Sequence, residues 1–412
     1  MPQGSARHTA LYALGRWREG REFADVIAQS ALGSSKLVSA DRAFALDLFY
    51  SCLRNLTLLD FWIGKLRPAP LEPTVRDVIR LGLAQIFLLE TSAHAAVFET
   101  VELVSKRQRG VVNGILRAAL RQRENLQEIV PDQPLYIRCS HPEFLIKKWQ
   151  AQFGDLVVEE LCAWNNQPPP IYVRTNLLRP VVDENELPGV VPISDKPGFH
   201  RVKVLPHSAL ERGAVYVQDP STALAPALLE VQPGEAVLDA CAAPGGKTAY
   251  IAGETLNRAE IVACDRDEAR LEILRANLDR MGVRARIVEQ DWSSPQRSNA
   301  LRKRKFDKIL VDVPCSNTGV MRRRVDVRWR LTEKDFVRMP DLQLEIMRNV
   351  APLLKPRGIL VYSTCSLEPE ENELNVERIL REVPQLRLTQ TARSTPWADG
   401  IDGAFAARFE NA

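Results

Sequence analysis

In the second half of the chain, two thiols and a carboxylate sit just past short apolar runs. Asp312-Val313-Pro314-Cys315 follows Lys308-Ile309-Leu310-Val311, and Ser363-Thr364-Cys365-Ser366 follows Ile359-Leu360-Val361-Tyr362. Upstream, Leu238-Asp239 runs into Cys241-Ala242-Ala243-Pro244-Gly245-Gly246-Lys247-Thr248. A glycine turn after a strand lets the backbone approach a ligand and aims helix N-terminal amides at it. A thiolate is a strong nucleophile. A cofactor loop with two strand-end cysteines therefore points to methyl transfer onto a pyrimidine ring through a covalent enzyme–base adduct.

The turn is not G-x-G-x-x-G. Its tail, Gly246-Lys247-Thr248, imitates a phosphate-binding loop, but Cys241 stands where that loop needs its first glycine, which argues against an ATPase. Asp265 ends the next apolar run, about 20 residues on, where an acid receives ribose hydroxyls. Asp291 ends the run after that and is placed to accept an adenine amino group. Singly, each acid reads equally as a helix cap or a loop residue. At successive strand ends they favour a nucleoside cofactor.

These residues need a sheet to hold them. Ala236–Asp239, Glu260–Asp265, Ala285–Val288, Lys308–Asp312 and Ile359–Tyr362 alternate with helical patterns. Repeated strand–helix units predict a mostly parallel, Rossmann-like α/β sheet covered on both faces, with ligands beyond the carboxyl ends of its strands. This domain is expected over 213–412. Residues 1–125 read as all helix, with apolar positions at helical spacing over Ala6–Ala31, Ala40–Leu66, Val75–Glu90, Ala95–Lys106 and Val111–Glu124. Residues 126–212 read as a small α+β connector, with a helix over Pro142–Phe153 and a strand over Ile171–Asn176.

The wording of these segments carries a resemblance. Asp239 to Thr248, Asp312-Val313-Pro314-Cys315-Ser316-Asn317-Thr318-Gly319, and Ser363-Thr364-Cys365-Ser366 with Pro369-Glu370-Glu371-Asn372 resemble the RNA cytosine-C5 methyltransferases. Asp41-Arg42-Ala43-Phe44, His94 to Val101 and Val112-Asn113-Gly114-Ile115-Leu116-Arg117 resemble the NusB family of RNA-binding helical domains. The resemblance implies S-adenosylmethionine as cofactor, held by Cys241, Ala242, Ala243, Pro244, Gly245, Gly246, Lys247, Asp265, Asp291 and Asp312. It implies Cys365 as the nucleophile, Cys315 as the group assisting proton removal and release, Asp312 on the N3/N4 edge of the base, and Lys247 positioning Asp312 or the base. The implied substrate is RNA, 16S rRNA in particular. A tRNA substrate and a non-catalytic ribosome-assembly factor are the rival readings. The chain departs from the resembling pattern at Val313, at Asn317 in place of glycine, and at Arg324 and Val325 in place of His-Pro.

Composition bounds the rest. The 412 residues are 45% hydrophobic with a net charge of +3 and a pI of about 8.4, so total charge says little about nucleic acid. Lys106, Arg107, Arg109, Arg117, Arg121 and Arg123 cluster just before and along the last expected helix of this region, reading equally as a solvated face or an RNA surface. Arg322-Arg323-Arg324 with Arg328, Trp329 and Arg330 are expected to meet the RNA backbone, although packing is the commoner fate of Trp329. Arg302-Lys303-Arg304-Lys305 is expected to be solvated. Seven scattered cysteines with no C-x-x-C pair predict reduced thiols, a cytoplasmic location and no metal. None of the five histidines follows His207, which excludes a His-dependent triad built within the second half. No apolar run predicts a membrane span, the first residues lack a signal peptide's apolar stretch, and a monomer is expected.

Overall fold

The computed structural model describes residues 5–412 apart from 34, 36, 180–186, 188 and 194. Residues 1–4 of the expected helical region and the omitted positions of the middle module lie outside the described residues. Two compact units emerge, Met1–Gln167 with Met321–Arg330, and Pro168–Val320 with Leu331–Ala412.

The first unit is helical. The expected Ala6–Ala31 segment is two helices, Ala6–Arg18 and Ala24–Gly33, separated where Gly20 takes φ +77°. Ser39–Arg54 and Leu56–Leu66 are likewise separate, hinged at Asn55. The helix Pro73–Phe87 is buried on nearly every side, as expected of a central bundle helix. It packs so closely that a Cβ on Gly82 would lie 2.5 Å from Leu116 Cδ2. Its buried polar groups are paired: Asp77 accepts from Arg18 at 2.6 Å and Arg80 at 2.9 Å, and Gln85 from Arg7 at 2.7 Å. Helices continue past the expected boundary as Glu143–Phe153 and Asp155–Asn166.

Met321–Arg330 leaves the second unit's chain to join this bundle. Val325 enters the bundle core. Arg328 is fully buried, and its guanidinium donates to Ser140 O at 3.2 Å, Asn165 O at 3.0 Å and Asn166 Oδ1 at 2.6 Å. Trp329 Nε1 donates to Leu53 O at 2.8 Å, and Asp326 accepts from Ala24 N at 3.0 Å and Arg330 Nε at 2.9 Å. This corrects the expected RNA-backbone role for Arg328, Trp329 and Arg330. Arg328, Trp329 and Arg330 donate to groups of the helical unit, and of the segment's arginines only Arg324 is exposed.

The second unit holds two sheets. The smaller joins β1 (Ile171–Thr175), β2 (Val191–Pro192), β3 (Phe199–Val202) and β4 (Val215–Val217) in the order β2-β3-β1-β4 among the described residues, all antiparallel. The larger contains β5 (Ala236–Asp239), β6 (Glu260–Asp265), β7 (Ala285–Glu289), β8 (Phe306–Asp312), β9 (Leu354–Thr364), β10 (Leu386–Ser394) and β11 (Ala404–Asn411), in the order β10-β11-β9-β8-β5-β6-β7. Strands β5 to β9 pair parallel, while β10 and β11 add an antiparallel edge absent from the expected strands. The apolar side chains of β5, β6, β8 and β9 enter clusters on both faces, which is why those strands read as apolar runs. Asp239, Asp265, Asp312 and Thr364 thus end four strands on one edge.

Candidate active site

The glycine turn is built by close packing. Gly245 takes φ +107°, and a Cβ there would lie 3.0 Å from Leu274 Cδ1. At Gly246 a Cβ would lie 2.9 Å from Tyr216 Cε1. The Ala243–Pro244 peptide is cis. Arg174, buried on β1, donates to Gly246 O at 3.2 Å and to Gln218 Oε1 at 2.7 Å, so the small sheet pins the turn from outside. Sequence reasoning missed Arg174; its only signal was a charge amid the apolar β1 run. Ala242 and Ala243 are buried beneath the turn, and burial holds the Cys241 thiol well above its ordinary range, consistent with a structural loop residue.

Asp239 is fully buried and accepts from Thr248 Oγ1 at 2.7 Å, tying strand end to helix start. Its Oδ1 has no hydrogen-bond partner, and burial raises this carboxyl to about 7. Asp265 Oδ1 accepts from Arg266 N at 2.9 Å. Its Oδ2 makes no hydrogen bond, although the Arg270 guanidinium lies 3.3 Å away. A carboxylate oxygen without a hydrogen bond beside a glycine turn suits the hydroxyl pair of a ribose. Asp291 lies two residues past β7, exposed, with Oδ1 accepting from Ser293 N at 2.9 Å and Ser293 Oγ at 2.7 Å. Those bonds hold its carboxyl below the usual range.

Across the sheet edge, Lys247 Nζ donates to Asp312 Oδ2 at 2.6 Å, and Ser363 Oγ to Asp312 Oδ1 at 2.6 Å. Both oxygens face donors, so Asp312 is presented as a hydrogen-bond acceptor. Burial opposes the Lys247 charge, but Asp312 and Cys365 outweigh it and raise the ammonium above its ordinary value.

The thiols meet beyond β8 and β9, which are neighbours in the sheet: Cys315 Sγ lies 3.3 Å from Cys365 Sγ. Contact with Cys365, together with burial, holds the Cys315 thiol well above the ordinary range. Glu371 clamps the two loops together. It is fully buried and accepts from Ser316 N at 3.0 Å, Ser366 Oγ at 2.7 Å and Gln343 Nε2 at 2.7 Å, and also from Ser316 Oγ. Gly319 and Gly403 close the floor. Gly319 N donates to Cys365 O at 2.9 Å and Gly403 N to Gly319 O at 2.8 Å, and a Cβ on Gly319 would lie 2.8 Å from either carbonyl oxygen, Cys365 O or Gly403 O. The sequence offered Glu371 only as part of a motif, without a role. Gln343 gave no signal at all.

A Rossmann-like sheet with a glycine turn, a strand-end acid and paired thiols at its carboxyl edge fits the class of S-adenosylmethionine-dependent methyltransferases. Comparison with known proteins narrows this. Residues 226–408 match the family model of 16S rRNA methyltransferase RsmB/F, 4–121 that of the NusB family, and 141–185 the ferredoxin-like domain of RsmF/B-like methyltransferases. The chain is 36% identical over 402 residues to ribosomal RNA small subunit methyltransferase B of Escherichia fergusonii, covering 91% of each protein. It is also 36% identical over 400 residues to the Shigella sonnei protein of that name, again covering 91% of each. The crystal structure of PH0851 superposes with a TM-score of 0.80 at 25% identity over 100% of this chain and 99% of that one. A methyltransferase homolog from Pyrococcus horikoshii gives 0.59 at 27% identity over 67% of this chain and 97% of its own. The chain belongs to the RsmB/F family of 16S rRNA methyltransferases. Its cofactor is S-adenosylmethionine and its substrate is RNA. Among the described residues no helix is long and apolar enough to cross a membrane, and no cluster of His, Cys, Asp and Glu is placed to hold a metal ion.

Proposed function

We propose that the chain methylates C5 of a specific cytosine in 16S rRNA through a covalent bond between Cys365 and C6 of the base. The observation that carries this reading is the pair of thiols at 3.3 Å beyond adjacent parallel strands, beside the Lys247–Asp312 pair. Cytosine C5 is a poor nucleophile. When the Cys365 thiolate bonds to C6, the C5–C6 π electrons shift toward C5 and the C4–N3 edge, and C5 becomes enamine-like. Bound S-adenosylmethionine supplies an electrophilic methyl group. Asp312, an acceptor, suits the exocyclic amino group of cytosine, and the Lys247 ammonium favours a thiolate at Cys365.

The state of Cys315 orders the remaining steps. While Cys365 carries charge, Cys315 keeps its proton. Once Cys365 is bonded to C6 that charge is gone, while burial and Glu371 still favour the Cys315 thiol; after C5 carries the methyl group, Cys315 acts as base by passing its own proton to solvent. It then takes the C5 proton, the C5–C6 double bond re-forms, and Cys365 leaves as thiolate. Asp265 and the backbone of 241–247 would hold the cofactor, with Asp291 near its base.

We further infer a division of labour: residues 1–125 bind RNA, 126–212 connect and brace, and 213–412 carry out catalysis, in a cytoplasmic monomer. Exposed Lys106, Arg107, Arg117, Arg121 and Arg123 support the first part. The scattered free cysteines support a reducing compartment.

The test is trapping on 16S rRNA containing 5-fluorocytidine, whose C5 carries fluorine instead of a removable proton. The wild type is expected to stall as a covalent complex mapped to Cys365, and Cys365→Ala to form none. On ordinary RNA, Cys315→Ala is expected to accumulate the complex. An adduct on another residue, or no accumulation with Cys315→Ala, refutes the respective assignment.

A further inference from the structure

Asn317 stands in the loop between Cys315 and Gly319 with φ +59°, a left-handed conformation that glycine takes freely and asparagine tolerates. It stands where the resembling pattern has glycine, so this chain places a side chain where the pattern has none. That side chain touches both thiol-bearing residues. Nδ2 donates to Cys315 O at 2.7 Å, and Oδ1 lies 3.2 Å from Cys365 Sγ, with the sulfur as donor. The first contact fixes the amide orientation, because an oxygen facing the Cys315 carbonyl oxygen at that distance would be repelled. The carboxamide oxygen is thereby committed to the sulfur. An amide oxygen accepts from S–H and has nothing to donate to a thiolate. The contact therefore exists only while Cys365 keeps its proton and points it at Asn317.

We propose that Asn317 is a positioning residue that restrains the nucleophile, its carboxamide oxygen holding the Cys365 thiol in a resting orientation that must be broken before the sulfur can bond to a base. The proposal rests on the reading of Cys365 as nucleophile and adds a brake on it. The other groups facing Cys365 are Cys315 from the loop after β8, with Glu371 behind it, and Lys247 from the Gly246–Glu254 helix, with Asp312 behind it. Lys247 favours the thiolate. Asn317 favours the thiol and opposes it.

Two variants separate the acceptor from every other effect of the side chain. Asn317→Gly and Asn317→Asp both remove the donor to Cys315 O, but only glycine removes the acceptor, and aspartate strengthens it with charge. Both residues suit a positive φ. The measurement is the rate of iodoacetamide alkylation of Cys365, read peptide by peptide across pH 6–10. The Cys365 thiolate displaces iodide to form an S–C bond, so the rate follows the ionised fraction. Asn317→Gly is expected to raise the neutral-pH rate about fivefold and move the profile to lower pH, the size of one neutral hydrogen bond. Asn317→Asp is expected to slow it and move the profile to higher pH. Thermal melting and S-adenosylmethionine binding should hold in both. An unchanged profile in Asn317→Gly, or shifts of the same sign in both variants, overturns the restraint. Alkylation does not require Cys365 to be the nucleophile, so failure here is distinct from failure of the 5-fluorocytidine trap.

Discussion

Glu371 shows how much of the site's geometry rests on one buried carboxylate. Its two oxygens gather donors from the loop of Cys315, the loop of Cys365 and the helix bearing Gln343. No cation pairs with it among these contacts, so its stability depends on every donor being in place. Glu371→Gln turns an acceptor into a donor facing donors, and is expected to cost roughly 2–3 kcal/mol in urea unfolding. The same change should lower methyl transfer far more than S-adenosylmethionine affinity; equal losses in both would show that Glu371 serves the fold alone. Asp239 makes a different prediction. Its folded carboxyl lies near 7 because it is buried, well above the ordinary 3.8. The folded state therefore holds a proton that the unfolded chain has released, and stability from this group falls as pH rises from about 4 to 7, by up to about 4 kcal/mol. Asp239→Asn should flatten that part of the curve of melting temperature against pH. Identical slopes in the two proteins would contradict the assignment.

At the scale of elements, the glycine turn is the joint that the rest of the fold squeezes. Gly245→Ala must hold φ +107° and push against Leu274, and Gly246→Ala would press on Tyr216. Each is expected to destabilise by about 1–3 kcal/mol and weaken S-adenosylmethionine binding, read by thermal shift with and without cofactor. Unchanged cofactor affinity in both would remove the turn from the binding site. The turn was legible because β5, β6 and β8 are buried on both faces and read as unbroken apolar runs ending in acids. β10 and β11 were not. Arg387, Thr389, Gln390 and Thr391 of β10 face solvent, and its register shifts between Leu388 and Gln390, so neither a run nor a clean alternation marks it. The helical pattern over Ala6–Ala31 hid a break because Gly20 interrupts the chain without interrupting the apolar spacing.

Across the whole molecule, charge is used in two ways that a linear reading cannot separate. The arginines of Met321–Arg330 looked like a phosphate-binding run, yet Arg328 and Arg330 anchor the segment inside the helical unit through backbone carbonyls. The Lys106–Arg121 helix is the opposite case. Among the described residues Arg117 donates locally, to Asn113 Oδ1 at 3.0 Å, and its face is exposed, while Arg109 is paired with Glu102. Reversing Arg117 and Arg121 to glutamate should weaken 16S rRNA binding and lower the slope of log affinity against log salt by about one per lost phosphate contact. An unchanged slope would leave that face merely solvated. The residues proposed for catalysis stand in motifs contiguous in sequence, so the reading of them needed no fold. Their supports, Arg174, Gln343 and the partners of Glu371, come from distant segments that only the fold brings together. The central claim is tested most directly by transfer of labelled methyl from S-adenosylmethionine to unmodified 16S rRNA, mapped by bisulfite sequencing, for the wild type and Cys365→Ala. Incorporation at one cytosine, lost in the variant, is the expected result. Incorporation at that cytosine undiminished in Cys365→Ala, or at a base other than cytosine, would contradict it.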